Sequence, residues 1–549
     1  MTRLSTTCRK CGPMLPSTLV WAMAMIALSP VQPAFARGTP RSADLVIRGG
    51  TIYDGASATP VVGDVVVTGD RIVYVGASAS NPYTARKMID ARGLIVAPGF
   101  IDPHTHADTF LAGTDATTRL NLPWMMQGVT TIFTGVDGHG QPGGKVDIAG
   151  LFDGLERNSF GINVAAYVGF GAIRRAVIGD DDRAPAAHEL ARMKGLVAKG
   201  MCEGALGFST GLFYAPQSFA KIDEVIAIAR EAAMRGGVYD THQRDESSYT
   251  IGVVDSTREG IEIGRAAGMP VHFAHFKALG VDVHGKAPEL IAAIRKARSE
   301  GLAVTADQYP WEASGSGLEA SLLPRWAVDG GRAPMLKRFE DPQTLAKIRA
   351  EMRENLRRRG GPDSLLLTAP GHPWTAKRLG EVARGWNVEP IDAALRIIRE
   401  TDRGSSVVSF NMAESDIKLL MQQPWVMTSS DGSHGHPRMY ATFPQKYAKY
   451  VLKEQTISIA EFINSSTGRT ADTFKLDRRG HLRGGYFADV VVFDPKSYRP
   501  RADYVHPEVL TEGVQTLLVN GTLAVEHGKP TGAAAGRGLR HVPTAGSCS

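Results

Sequence analysis

The sequence predicts an α/β fold: a (β/α)8 barrel with a small β-sandwich domain built from both chain ends. Three observations carry this prediction. From Pro98 onwards, short apolar strands alternate with helical stretches, the pattern of βα units around a parallel sheet. Towards both ends the chain reads instead as β-branched runs broken by Gly and Asp turns. Histidine or aspartate residues recur where the barrel strands should end. At 549 residues, with 43% hydrophobic and 21% charged content, the chain can bury a barrel core and a further domain.

Residues 1–36 are expected to be a signal peptide. Arg3, Arg9 and Lys10 give a positive start, and Leu19–Leu28 is an apolar run too short to span a bilayer. Ala34-Phe35-Ala36 supplies a small-x-small cleavage pattern. The expectation is an exported protein, periplasmic in a Gram-negative source, with no membrane span after processing. The formal charge of +6 falls to +3 once those three basic residues leave. That balance, with no basic run interleaved with aromatics, argues against a nucleic-acid partner. Cys8 and Cys11 lie in the leader. Cys202 and Cys548 remain, too few for a disulfide framework.

Residues 43–95 contain the strand runs 43–47, 64–67 and 71–75, separated by Gly49-Gly50, Asp54-Gly55 and Gly69-Asp70. With residues 476–535, which contain the runs 488–493 and 516–519, they are expected to form the β-sandwich domain. Residues 96–475 are assigned to the barrel. Its strand candidates are 100–104, 129–133, 164–169, 205–209, 237–241, 270–274, 303–307, 407–410 and 426–429. Nine is one too many, and 407–410 is placed outside the barrel. Helices are expected over 221–235, 256–267 and 287–300. A charged helical segment at about 324–365 breaks the alternation and reads as an insertion over the barrel mouth. Substrate preference is expected to lie in loops that include it. The Gly/Ala-rich tail from Gly532 is expected to be loose.

The chemistry starts at PGFIDPHTHAD, residues 98–108. His104 and His106 are two apart, so on a strand end they face one side and can grip a divalent metal ion. Alone, this HxH fits equally a polar strand end whose histidines only make hydrogen bonds. Three further strand ends add His242, His275 and Asp431. In a closed parallel barrel all strand C-termini converge on one face, so these distant residues are expected to meet. Lys277, two residues after His275, and Arg438 are cations suited to a carboxylate. Ser209 and Ser430 are not nucleophile candidates, because a hydroxide formed at a metal needs no acyl-enzyme.

This ordered set resembles the amidohydrolase superfamily, and more narrowly the D-aminoacylase (N-acyl-D-amino-acid deacylase) family. Matching stretches include GALGFSTGLFYAP at 204–216, YDTHQRDE at 239–246, HFAHFKA at 272–278, TADQYPWEASGSGL at 305–318, SSDG at 429–432 and HPRMYATFP at 436–444. The resemblance implies one tightly bound Zn²⁺ at Asp137, His242 and His275. It implies a second, weaker divalent metal at His104, His106 and Asp431, with Asp431 also the acid/base. It places Tyr214 on the substrate carbonyl, and Tyr309 and Ser314 beside Lys277 and Arg438 on the substrate carboxylate. The implied substrate is a small N-acyl-D-amino acid, hydrolysed at its amide to a carboxylate and a D-amino acid. The alternatives are a dipeptidase, a cyclic-amide hydrolase, or a catalytically impaired binding protein on the same fold. One departure stands out. Where the family carries Gly-Asn-Cys-Gly, this chain has Gly135-Val136-Asp137-Gly138, and Asp137 is expected to keep the ligand role. His139, His284, His434 and His436 receive no role from the resemblance.

Overall fold

The computed structural model describes residues 41–56, 58–401 and 406–548, so the expected signal peptide lies outside the described residues. Residues from both chain ends form one nine-stranded sheet. Its seam joins Ile95–Pro98 to Val490–Phe493 in antiparallel register, with Val490 opposite Pro98 and Phe493 opposite Ile95. The β-branched run Val490–Phe493 is buried throughout, which suits a central strand. Gly99 then carries the chain from this sheet into the barrel. A Cβ there would lie 2.2 Å from the Thr130 side chain, so only glycine passes.

Eight parallel strand positions make the barrel. They are Phe100–Asp102, Val129–Thr134, Asn163–Gly169 interrupted at Tyr167, Gly207–Gly211, Val238–His242, Val271–Phe273, Val304–Gln308 and Val426–Thr428. The ring closes where the Asp431 amide donates to the His104 carbonyl at 2.9 Å and the His106 amide to the Gly432 carbonyl at 3.0 Å. Tyr167 bridges the interrupted strand, its amide donating to the Thr134 carbonyl at 2.9 Å. Ile101, Phe133, Tyr167, Val238 and Met427, from separate strands, pack with Phe474 as barrel filling. Phe100 stacks on Phe443 with ring centroids 5.2 Å apart, which ties the first strand to the helices outside it. Helices Ile222–Met234, Val253–Ala267 and Ala287–Ser299 fall where the apolar periodicity placed them.

The insertion is larger than the sequence suggested. It is not confined to about 324–365. Ala313–Gly317, Leu365–Leu367 and Ser406–Phe410 form a separate antiparallel sheet, so the excursion begins near residue 313 and returns near 410. Ser406–Phe410, the run set aside as the ninth strand, belongs to this sheet. The insertion has its own core, with Leu322, Met335, Phe339, Ile348, Met352 and Trp374 buried together. Helix Pro342–Arg358 is capped by the Asp341 carboxylate, which accepts from the Thr344 amide.

The C-terminal tail corrects one expectation. It is not loose: the Gly536 amide donates to the Phe160 carbonyl at 2.7 Å, and the Leu539 amide to the Val164 carbonyl at 2.7 Å. Its glycines permit close approach, since a Cβ on Gly536 would sit 2.0 Å from the Ile162 carbonyl oxygen. Cys202 and Cys548 form a disulfide across 346 residues of sequence. Two cysteines make no framework, but this pair fastens the chain end to the barrel.

Candidate metal centre

Each ligand-type side chain is placed by a local break in regular structure. Pro103 cannot donate to a ladder, and the first strand stops at Asp102. His104 and His106 therefore lie just past the strand rather than on it. Asp102 anchors this segment, accepting from the amides of His104 and Ser430 and from the Trp124 indole at 3.0 Å. His242 is the last residue of its strand. His275 lies two residues beyond Phe273 with φ of 34°, and Asp431 follows the last strand with φ of 47°. Asp137, at φ of 53°, occupies a short turn. Three left-handed non-glycine residues at one site are backbone strain held by the surrounding fold. The Asp137 turn is propped by Ser209, whose hydroxyl accepts from the Gly138 amide at 3.1 Å, and by Gln217, which donates to the Asp137 carbonyl at 2.9 Å.

The six residues converge. Asp137 Oδ1 lies 3.3 Å from His275 Nε2, 3.4 Å from His104 Nε2 and 3.8 Å from His242 Nδ1, while its Oδ2 lies 3.5 Å from His106 Nε2. Asp431 Oδ1 is 3.1 Å from His106 and 3.8 Å from His104. Among the described residues, three overlapping groups can each hold a metal: His104–His106–Asp137, His104–His275–Asp431 and Asp137–His242–His275. The site also leaves polar atoms without partners. Both ring nitrogens of His104, Nε2 of His242 and Oδ1 of Asp137 are buried and make no hydrogen bond. Such orphans are costly unless a cation completes them. These residues fit a divalent metal.

The electrostatics agree. Burial opposes ionisation of Asp137, but the His104 and His275 rings hold its carboxyl well below the usual range. Asp431 is likewise buried, and the Arg438 guanidinium, 2.7 Å from its Oδ2, holds it down. Burial pushes His242 down to about 3. Burial and the Lys277 ammonium oppose charge on His275, yet the carboxylates of Asp431, Asp137 and Glu246 outweigh them and push it up to about 10. The centre of the site thus favours positive charge.

Above the cluster opens a cavity of about 710 Å³. Lys277, Tyr214, Tyr309, Ser314 and Arg438 all line it. Two of the cations are already engaged. Lys277 donates to Glu246 Oε1 at 2.7 Å and to the His275 carbonyl at 2.8 Å, and Arg438 pairs with Asp431. The Tyr309 hydroxyl has no partner, and Ser314 Oγ meets Asn411 at 3.4 Å. His139, His434 and His436 line the cavity as well. His284 turns elsewhere, to the Asn411 carbonyl at 3.1 Å. Sequence reasoning missed Glu246, whose carboxylate stands 3.2 Å from His275 Nδ1 and 3.7 Å from His242 Nε2. Its place four residues after His242 was the available signal.

Comparison with known proteins agrees with this geometry. Residues 87–525 match the model of the amidohydrolase family. The chain is 31% identical to a D-aminoacylase from Alcaligenes xylosoxydans xylosoxydans over 90% of its own length and 97% of that protein. It is also 31% identical to an N-acyl-D-aspartate deacylase of the same organism, over 90% and 94%. A solved structure of N-acyl-D-glutamate deacylase from Bordetella bronchiseptica, complexed with zinc and a phosphonate mimic of the tetrahedral intermediate, superposes with a TM-score of 0.77 at 29% identity. It covers 91% of this chain and all of that one. A closed parallel barrel, a histidine and aspartate cluster at its strand ends and a match over most of the sequence converge: the chain belongs to the amidohydrolase family.

Proposed function

We propose that this protein is a zinc-dependent hydrolase of N-acyl-D-amino acids, which cleaves the amide to a carboxylate and a free D-amino acid. The observation that carries this reading is the position of Asp137, between the His242–His275 pair and the His104–His106 pair at the floor of a cavity. The deacylase relatives support the substrate class, and the zinc-bound deacylase structure supports the metal.

Asp137, His242 and His275 are assigned to the tighter zinc, and His104, His106 and Asp431 to a weaker second metal. Zinc, when bound, supplies Lewis-acid polarisation of the amide carbonyl and makes water more acidic. The chain's own groups do the rest. Asp431 is ionised at neutral pH, so its Oδ1 accepts the proton of the attacking water and later delivers it to the departing amide nitrogen. Arg438 holds the other oxygen of Asp431 and so fixes the direction from which Oδ1 reaches substrate. Tyr214 is assigned to the substrate carbonyl. Lys277, Tyr309, Ser314 and Arg438 are assigned to the α-carboxylate, with Lys277 and Arg438 sharing their charge with Glu246 and Asp431.

Steady-state hydrolysis of N-acetyl-D-methionine, its L-enantiomer and a hydantoin by zinc-loaded protein tests the reading. Turnover of the D-substrate alone is expected, and exclusive turnover of the hydantoin overturns it. Export to an oxidising compartment is part of the proposal and is supported by the Cys202–Cys548 disulfide. N-terminal sequencing of the secreted protein is expected to begin after Ala36.

A further inference from the structure

One imidazole beside the metal centre has no assignment. His139 is exposed and lines the cavity, and its ring makes no hydrogen bond or ion pair with any described residue. The other two histidines that line the cavity without a ligand role differ in this. His434 meets Glu508 at 3.0 Å, and His436 donates to the Ala313 carbonyl at 3.0 Å. An imidazole offers at least one N–H in either protonation state, so His139 presents an unused donor to whatever enters.

The turn that carries it is fixed on both sides. The His139 amide donates to the Val136 carbonyl at 3.0 Å, and the flanking glycines have φ of 70° and 78°. A Cβ on Gly138 would lie 2.1 Å from Gln217 Oε1, and one on Gly140 would lie 2.5 Å from the Lys145 carbonyl oxygen. Glycine is required at both places, so His139 is the one side chain this Gly-His-Gly turn presents. Its ring centre is 6.0 Å from that of His106 and 5.5 Å from that of Tyr214, whose own ring is 4.8 Å from that of His242. The four rings form an arc around Asp137, which lies 3.5 Å from His106 and 3.8 Å from His242. The cations Lys277 and Arg438 are held elsewhere, by Glu246 and Asp431.

We propose that His139 is a further catalytic residue, which donates a hydrogen bond to the acyl carbonyl oxygen of the substrate and holds it, together with Tyr214, as that oxygen gains charge. This rests on the reading of the site as an N-acyl-D-amino-acid hydrolase. In the step concerned, the oxygen of water bonds to the carbonyl carbon, the carbonyl π pair moves onto its oxygen, and the proton of water passes to Asp431. When the pair returns, the C–N bond breaks and the nitrogen takes that proton. His139 keeps its own proton throughout and acts as a fixed dipole, not as an acid. Donors that share one oxygen lie about 2.7–3.1 Å from it, and the 5.5 Å between the ring centres of His139 and Tyr214 suits such sharing. A donor already set in place by its turn needs no reorganisation when the charge develops.

The test replaces His139 in the zinc-loaded enzyme by Phe, which keeps a ring without the donor, and by Gln, which keeps a donor. On N-acetyl-D-methionine, His139→Phe is expected to lose about 100-fold in kcat with little change in KM, and His139→Gln to recover part of that loss. Should His139→Phe not fold, His139→Ala carries the same comparison. Calorimetric binding needs no turnover. The methylphosphonamidate of D-methionine carries a charged oxygen in place of the carbonyl oxygen, and its affinity is expected to fall by a similar factor in His139→Phe. D-methionine lacks that oxygen and is expected to bind wild type and variant equally. An unchanged kcat, an equal loss of affinity for both ligands, or failure of the wild type to bind the phosphonamidate overturns the proposal. So does release of zinc from the variant on dialysis, which would make His139 a metal ligand instead. Failure of the wild type to cleave any amide, with phosphonamidate binding still dependent on His139, overturns only the activity.

Discussion

A thiolate offers a metal one donor atom, whereas a carboxylate offers two, and both oxygens of Asp137 face histidine nitrogens. Oδ1 faces His104, His242 and His275, and Oδ2 faces His106. The replacement of the family's cysteine is therefore compatible with a metal site. Asp137→Ala is expected to weaken zinc retention by about 100-fold or more, while Asp137→Cys keeps it. Metal content after dialysis against a graded chelator checks both, and equal retention in the alanine variant removes Asp137 from the ligand set. Asp431 is the other decisive residue. Asp431→Asn preserves shape and the contact to Arg438 but cannot accept a proton, so kcat is expected to fall by about 10²–10⁴. Near-normal turnover with unchanged zinc content would assign the proton transfer to another group. The sequence singled out Asp431 because it follows an apolar strand run, and Asp137 because it stands where the resembling family carries cysteine. Glu246 was not legible, because a carboxylate in a polar loop resembles any solvated acid until the fold buries it against Lys277 and two histidines.

At the scale of elements, alternation of apolar strands and helices located the barrel, because burial on both faces leaves a plain apolar run at each strand. The insertion was harder to delimit. Its flanking strands Ala313–Gly317 and Ser406–Phe410 pair across about ninety residues, and nothing local marks that partnership. The tail misled for a related reason. Glycine and alanine suggest freedom locally, yet here the small residues let the chain press against Phe160–Val164 and end at a disulfide. Replacing Cys202 and Cys548 with alanine together is expected to lower stability by about 2–4 kcal/mol, since the bridge closes a very long loop in the unfolded chain. Denaturant unfolding of the oxidised, reduced and doubly substituted proteins measures it. Identical midpoints would leave the hydrogen bonds of the tail as its sole anchor.

For the whole molecule, the two chain ends meet in one sheet and the tail is tied to the barrel, so loss of either end exposes core shared with the barrel. Ile95, Phe100, Val491 and Phe493 belong to one buried cluster. Among the charge-bearing groups of this interior that lie apart from the metal site, Lys446 has no counter-charge beside it. Lys446 is buried and donates to the hydroxyls of Thr428 at 2.8 Å and Ser465 at 3.3 Å, with no carboxylate within ion-pair distance among the described residues. Burial pushes its ammonium down to about 7. In the unfolded chain the same group holds its proton to about pH 10.4. Between these values the unfolded state binds the extra proton, so this residue makes stability rise with pH, by at most about 1.4 kcal/mol per pH unit. Below pH 7 both states are protonated and the full burial penalty of the charge is present. Lys446→Met removes the titration. Its Tm relative to wild type is expected to be highest near pH 6–7 and to decline steadily towards pH 10, whereas a constant difference across that range would mean that Lys446 keeps its proton in the folded protein.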